Sequence, residues 1–215
     1  MPSLYVSPYT KLGNNKIGID TLIFNMSSAL DCKSHKLGLC KYNNKVKKVE
    51  GKHRCYAAKM EWNERVLKYR RNQEELWDTS SVDDIVNLFN KSILSAKLLG
   101  STVKYIRLNE SGDFKTVEDI EKVNEIAKQL PHIVIYLYTQ RRDLLNNLCK
   151  EDLQSNLIIQ SSNKKVNNFN TFVALPKPAY KKALENKHTV ACKKNCAICN
   201  LCKVYHKKVI IIEEH

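Results

Sequence analysis

Residues 103–139 decide the fold: Val103-Lys-Tyr-Ile-Arg-Leu-Asn109, then Glu110-Ser-Gly-Asp-Phe114, a helix-spaced stretch from Thr116 to Leu130, Pro131, and His132-Ile-Val-Ile-Tyr-Leu-Tyr-Thr139. Thr116 stands before Val117, Ile120, Val123, Ile126 and Leu130, which recur at helical spacing and share one face, so it is placed to cap an amphipathic helix that Pro131 ends. The flanking apolar runs are short and rich in β-branched and aromatic residues, as strands are. Strand, helix, strand in succession implies two parallel neighbours with the helix packed across them.

The same alternation extends in both directions. Upstream lie a strand in Ile17–Asn25, a helix over 56–72, and a clearer helix in which Ser81 and Asp84 form a capping box and Gly100 is the stop. Downstream follow a helix over 141–152, strands at 157–160 and 171–174, a short helix after Pro178, and strand-like 188–191 and 209–212. About six strands alternating with helices predict a mostly parallel sheet, either doubly wound or an incomplete barrel. Both architectures gather sites at the carboxyl ends of strands, so Cys32, residues 109–113, 139–142 and 161–163, and Cys192 should meet on one rim.

Composition excludes other classes. Of 215 residues 43% are hydrophobic and 27% charged, with only six Gly and five Pro, which rules out disordered, collagen-like and low-complexity chains. No run approaches 18 apolar residues and the first residues lack a basic stretch followed by an apolar core, so a cytoplasmic protein without membrane contact is expected. The formal charge of +14 suits a nucleic acid or another polyanion, with the Lys-rich loops 41–54 and 181–208 as the contacts. Because 29 of the 36 cations are Lys spread over most segments, the same charge also reads as compositional bias.

Eight cysteines carry most of the chemical information. Cys192, Cys196, Cys199 and Cys202 follow a C-x3-C-x2-C-x2-C pattern, and successive two-residue spacers return sulfur to one compact object. Zinc ribbons pair two C-x2-C units across a longer loop, whereas this run is the kind that grips a 4Fe-4S cluster, with Cys192 on the same cluster or a second one. Cys32, Cys40 and Cys55 are looser but lie in a polar, Lys-rich stretch with no apolar core to hide thiols, and so read as ligands of another centre. Cys149, at helical spacing from Leu145, reads as a core thiol. Arg107, on a strand expected to be buried, needs an anionic partner. Arg141 and Arg142 read as solvated charges at a helix start.

Taken together, Lys11-Leu-Gly-Asn-Asn-Lys-Ile-Gly18, the Cys32/Cys40/Cys55-Tyr-Ala group, Ile106-Arg-Leu-Asn-Glu-Ser-Gly-Asp-Phe114, Ile135-Tyr-Leu-Tyr-Thr-Gln140 and the terminal Cys run resemble the bacteriophage gene product 88 family over nearly the whole chain. More distantly the order of parts is similar to the radical S-adenosylmethionine superfamily. That resemblance implies a partial (β/α)6 TIM-like barrel over residues 1–187, with a Cys-rich loop after its first strand, and a Cys-rich carboxyl-terminal segment, 188–215, packed on it. It further implies one or two 4Fe-4S clusters, S-adenosylmethionine as cofactor, and Ser111, Gly112 and Asp113 at the cofactor-binding motif, a stretch that reads equally as a plain strand-to-helix turn; Arg107, read from its burial, would meet a cluster sulfide or bound anion there, or a structural salt bridge. The spacing Cys32-x7-Cys40-x14-Cys55 departs from the superfamily's C-x3-C-x2-C, and Asp113 stands where an acidic Glu is usual.

Overall fold

The computed structural model describes residues 4–42 and 55–214. Among the described residues eight strands form one sheet in the order β1-β2-β3-β4-β5-β6-β8-β7. They are β1 (Lys11–Leu12), β2 (Thr21–Phe24), β3 (Tyr105–Leu108), β4 (Val134–Thr139), β5 (Leu157–Ser162), β6 (Asn170–Leu175), β7 (Thr189–Ala191) and β8 (Val209–Glu213). Only β1 runs antiparallel, as a short hairpin partner of β2. From β2 to β6 the strands lie side by side in chain order, so the sheet is not doubly wound, and it does not close. β8 slots between β6 and β7, which makes the carboxyl-terminal segment part of the same sheet.

The seven helices of the described residues are α1 (Lys33–Lys36), α2 (Tyr56–Met60), α3 (Glu64–Thr79), α4 (Val82–Leu98), α5 (Val117–Gln129), α6 (Arg142–Leu145) and α7 (Lys177–Leu184). Ser81 and Asp84 form the expected capping box of α4, and Gly100, at φ +79°, ends it. Asp119 Oδ2 accepts the backbone N–H of Lys115 at 2.6 Å at the start of α5, while its other oxygen accepts Trp77 Nε1 of α3 at 2.7 Å. One carboxylate therefore both caps a helix and ties it to its neighbour.

Strand alternation separates two faces. Leu22, Ile106, Ile135 and Leu157 form one cross-strand row, and Phe24, Leu108, Leu137 and Ile159 the next. These eight side chains join Trp77 of α3, Ile85 and Phe89 of α4, and Ile120, Val123 and Ile126 of α5 in one core. The opposite face carries Ile23, Arg107, Tyr136 and Ile158 in register, then Tyr138, Gln160 and Asn170. On this polar and aromatic face Asn170 Nδ2 donates to the Val204 carbonyl at 2.8 Å, so its polar side chains hold the carboxyl-terminal segment against the sheet.

Three local expectations are corrected. The helix over 56–72 is two helices, because the Asn63 side chain accepts the N–H of Arg65 at 3.0 Å and starts α3 afresh. The helix over 141–152 stops at Leu145 before the Asn146-Asn147 pair, followed by a separate turn at Lys150–Asp152. That leaves Cys149 exposed instead of in the core. The first strand starts only at Thr21, since Gly18 turns the chain at φ +102°.

Candidate functional site

The strand-end rim assembles as the alternation implies. Asn25, just past β2, accepts the N–H of Ser111 at 2.8 Å, and Asn109, just past β3, accepts the N–H of Met26 at 3.1 Å. Asp113 is buried at the centre and saturated. Its Oδ1 accepts from Thr139 Oγ1 at 2.5 Å and the N–H of Phe114 at 2.9 Å, and its Oδ2 from Ser34 Oγ at 2.7 Å and the N–H of Gln140 at 2.7 Å. Burial pushes this carboxyl up, against the four donors that hold it down. A carboxylate offers about four acceptor positions, and all are used within the protein. Asp113 thus joins α1, β4 and its own turn, and keeps no oxygen free for an ammonium group.

Beside this knot lies a second one that the residue pattern did not reveal. Glu61 accepts the N–H of Ala29 at 2.7 Å, the N–H of Leu30 at 3.0 Å, Ser111 Oγ at 3.0 Å and Arg70 Nη1 at 2.7 Å. Arg70 also donates to the Ala57 carbonyl at 2.8 Å. With side chains 0% and 5% exposed, the pair holds the loop before Cys32 and the helix after Cys55 to the Ser111 turn. Arg141, expected to be solvated, is buried as well and bonds the carbonyls of Phe114 and Lys115 and the Asp143 carboxylate.

Cys32 sits just before α1 and Cys55 just before α2, both half-buried. Burial, reinforced by the Asp113 charge, pushes the Cys32 thiol up to about 12, and Cys40 is raised mainly by burial. Cys32 feels the charge of Cys40, and Cys40 that of Cys55, so the three thiols form one electrostatic neighbourhood.

The carboxyl-terminal run is fastened over the inner face of the sheet. Cys192 N–H bonds the Ile211 carbonyl at 2.8 Å, Cys196 N–H the Lys16 carbonyl at 2.7 Å, and Gln160 Nε2 the Cys202 carbonyl at 3.1 Å. Burial pushes the Cys202 thiol up to about 12, although the Tyr138 hydroxyl beside it and Arg107 favour its thiolate. Lys203 is 3% exposed, lies 3.9 Å above the Tyr105 ring, and donates to the Cys196 carbonyl at 3.0 Å.

Between this run and the sheet lies an open cavity of about 560 Å³, walled by Cys192, Cys196, Cys199 and Cys202. Its floor includes Arg107, Asn109, Tyr136 and Tyr138, and its lining carries five cations, Lys16, Lys59, Arg107, Lys194 and Lys203, against Glu110, Glu213 and Glu214. Glu110 is already paired with Lys11 at 2.8 Å, and Glu214 with Lys41. Of the four residues expected to bind cofactor, Arg107 faces this cavity; Ser111, Gly112 and Asp113 do not line it. Gly112, at φ +79°, instead passes close against Ser27. Among the described residues no three His, Cys, Asp or Glu are gathered so as to hold a single metal ion. Of the Lys-rich loops expected to contact phosphate, Lys45, Lys47, Lys48, Lys52, His53 and Arg54 lie outside the described residues, and Lys203 is buried.

A mostly parallel open sheet with α3, α4 and α5 packed on one face and a cysteine-walled cavity on the other defines an α/β protein. No helix of the described residues is long and apolar enough to cross a membrane. The chain belongs to the gene product 88 family, whose sequence pattern matches residues 7–204. No curated protein and no solved structure matches it, and the expected likeness to the radical S-adenosylmethionine superfamily is not supported.

Proposed function

We propose that the protein is an iron-sulfur protein in which Cys196, Cys199 and Cys202, with Cys192, hold one 4Fe-4S cluster against the inner face of the sheet, and Cys32, Cys40 and Cys55 hold a second at the strand-end rim. The observation that carries this reading is the wall of four thiols beside two inward cations, Arg107 and Lys203, neither of which forms a salt bridge among the described residues. A buried cation without a carboxylate is costly, and a cluster with thiolate ligands carries the negative charge that would compensate it. The donor set fits iron-sulfur chemistry, being sulfur throughout. A zinc ion bound by four thiolates needs them about 3.8 Å apart, as bonds of about 2.3 Å in a tetrahedron require, whereas a cubane distributes its ligands over four iron corners.

Bound clusters supply electron transfer or, at an iron with no Cys ligand, a coordination position. The chain-order parallel strands support an incomplete barrel of the radical S-adenosylmethionine type, with the three-Cys site as its open-iron centre. In that arrangement Asp113 shapes the rim and does not meet the cofactor.

Anaerobic isolation or reconstitution with iron and sulfide tests the reading. About eight iron and eight sulfide per chain are expected, falling to about four of each in Cys196→Ala, Cys199→Ala or Cys202→Ala. Cys149→Ala, exposed and outside both groups, should keep the full content. Stoichiometric zinc without labile sulfide would overturn the proposal. Adding S-adenosylmethionine to the reduced protein tests the finer part, since an unchanged electron paramagnetic resonance spectrum removes the radical-enzyme reading and leaves electron transfer.

A further inference from the structure

The inner face holds more polar side chains than the thiol wall accounts for. Arg107 Nε, Asn109 Nδ2 and Tyr136 Oη are buried without a hydrogen-bond partner among the described residues. Asn109 is 6% exposed and Tyr136 1%. Arg107 and Tyr136 are cross-strand partners, and Asn109, just past the end of β3, lines the same cavity. The Arg107 guanidinium lies 5.4 Å from the centre of the Tyr138 ring, and Glu110, whose charge acts on it, is bonded to Lys11. Asn109 Oδ1 is committed to Met26, which fixes its amide as a donor toward the remaining side. Each orphaned buried donor costs roughly 1–3 kcal/mol, so three on one patch are a standing demand for acceptors.

We infer that Arg107, Asn109 and Tyr136 form an oxyanion subsite on the cavity floor, which binds the carboxylate or phosphate of a small organic molecule whose apolar body lies along Tyr138, Phe172 and Ile210. The shape and chemistry of the cavity support both halves. About 560 Å³ accommodates an organic molecule and far exceeds a free inorganic ion. Tyr138 and Phe172 meet edge to face at 5.2 Å, giving an aromatic wall next to the donors. Glu110, held as a carboxylate by Lys11, adds no free acid to compete. The planar fork of Arg107 suits two oxygens of one group, and the Tyr136 hydroxyl and Asn109 amide add neutral donors that a cation alone would not provide. The inference shares Arg107 and the cavity with the proposed cluster site, and rests on the donors of the floor residues that remain without an acceptor.

Isothermal titration of the full chain with phenylacetate, phenyl phosphate, inorganic phosphate and the neutral isostere phenylacetamide tests it. One of the two aromatic anions should bind at least 10-fold more tightly than phenylacetamide and than inorganic phosphate, and which one does identifies the head group. Arg107→Gln should weaken that ligand roughly 10- to 100-fold and Tyr136→Phe roughly 3- to 10-fold, while Lys194→Gln, a cation on the same lining, should change it less than 2-fold. Arg107→Lys, which keeps the charge but loses the fork, covers the case in which the Gln variant does not fold. Equal binding of the amide, or anion binding that survives Arg107→Lys and Arg107→Gln alike, overturns the inference. Iron content measured on the same samples keeps the two proposals apart: loss of iron in Arg107→Gln with unchanged anion binding would overturn this inference and leave Arg107 only its place beside the cluster.

Discussion

Replacing Glu61 with Ala should be among the most damaging single changes outside the core. The variant leaves the N–H groups of Ala29 and Leu30 without this acceptor and strands the Arg70 guanidinium in a site where its side chain is 5% exposed. Each buried donor that loses its partner costs roughly 1–3 kcal/mol, and breaking a buried ion pair from one side typically costs about 3–5 kcal/mol in all. Arg70 keeps its bond to the Ala57 carbonyl, which favours the middle of that range, about 4 kcal/mol. For a chain of this size such a loss lowers the melting temperature by about 8–16 °C. Urea unfolding followed by circular dichroism measures it directly. A double variant, Glu61→Met with Arg70→Met, removes the stranded charge and should be more stable than Glu61→Met alone, because most of the cost is desolvation of the unpaired partner. Additive losses in the two single variants, or a Glu61→Ala deficit below about 1 kcal/mol, would refute the claim that this pair anchors the rim. Metal content of Glu61→Ala supplies a functional readout, expected to fall at the Cys32, Cys40 and Cys55 group before the carboxyl-terminal run.

Two further outcomes follow from single residues. Gly112→Ala should cost about 3 kcal/mol in denaturant unfolding, since its φ of +79° disfavours a side chain and an added Cβ would lie 2.6 Å from the Ser27 carbonyl oxygen; a loss within 0.5 kcal/mol would show that the turn relaxes freely. Burial pushes Glu110 up, but the Lys11 ammonium at 2.8 Å, with Arg107 behind it, outweighs that and holds the carboxyl below the usual glutamate range. Its stabilising contribution is therefore complete above that range and is lost as pH falls through the lowered value. Lys11→Met should move the Glu110 titration upward by carbon-detected nuclear magnetic resonance and raise the pH at which acid unfolding begins, and an unmoved titration would dismiss Lys11 as the cause.

What the chain alone determined is local. Ser81 with Asp84, Thr116, Pro131 and Gly100 mark helix ends because a cap involves groups within three or four residues of each other, and strand–helix alternation names a parallel sheet because a short crossover permits little else. The two Cys groups are visible for the same reason, as ligand spacing is written along the chain. Tertiary structure decided the rest. Asp113 reads equally as a cofactor-binding acid and as a turn residue before a helix until Ser34, 79 residues away, and Thr139 and Gln140 on the next strand end fill its oxygens. Glu61 reads as one more surface charge until Ala29 and Leu30 meet it across about thirty residues. Arg107 needed a partner on any reading, but only the register of β3 against β4 sets it beside Tyr136, on the face turned away from the helices and toward the cysteine wall. A side chain's spacing along the chain records which neighbours it shares locally; whether a buried charge is satisfied or still seeking a ligand depends on groups that only folding brings within 3 Å.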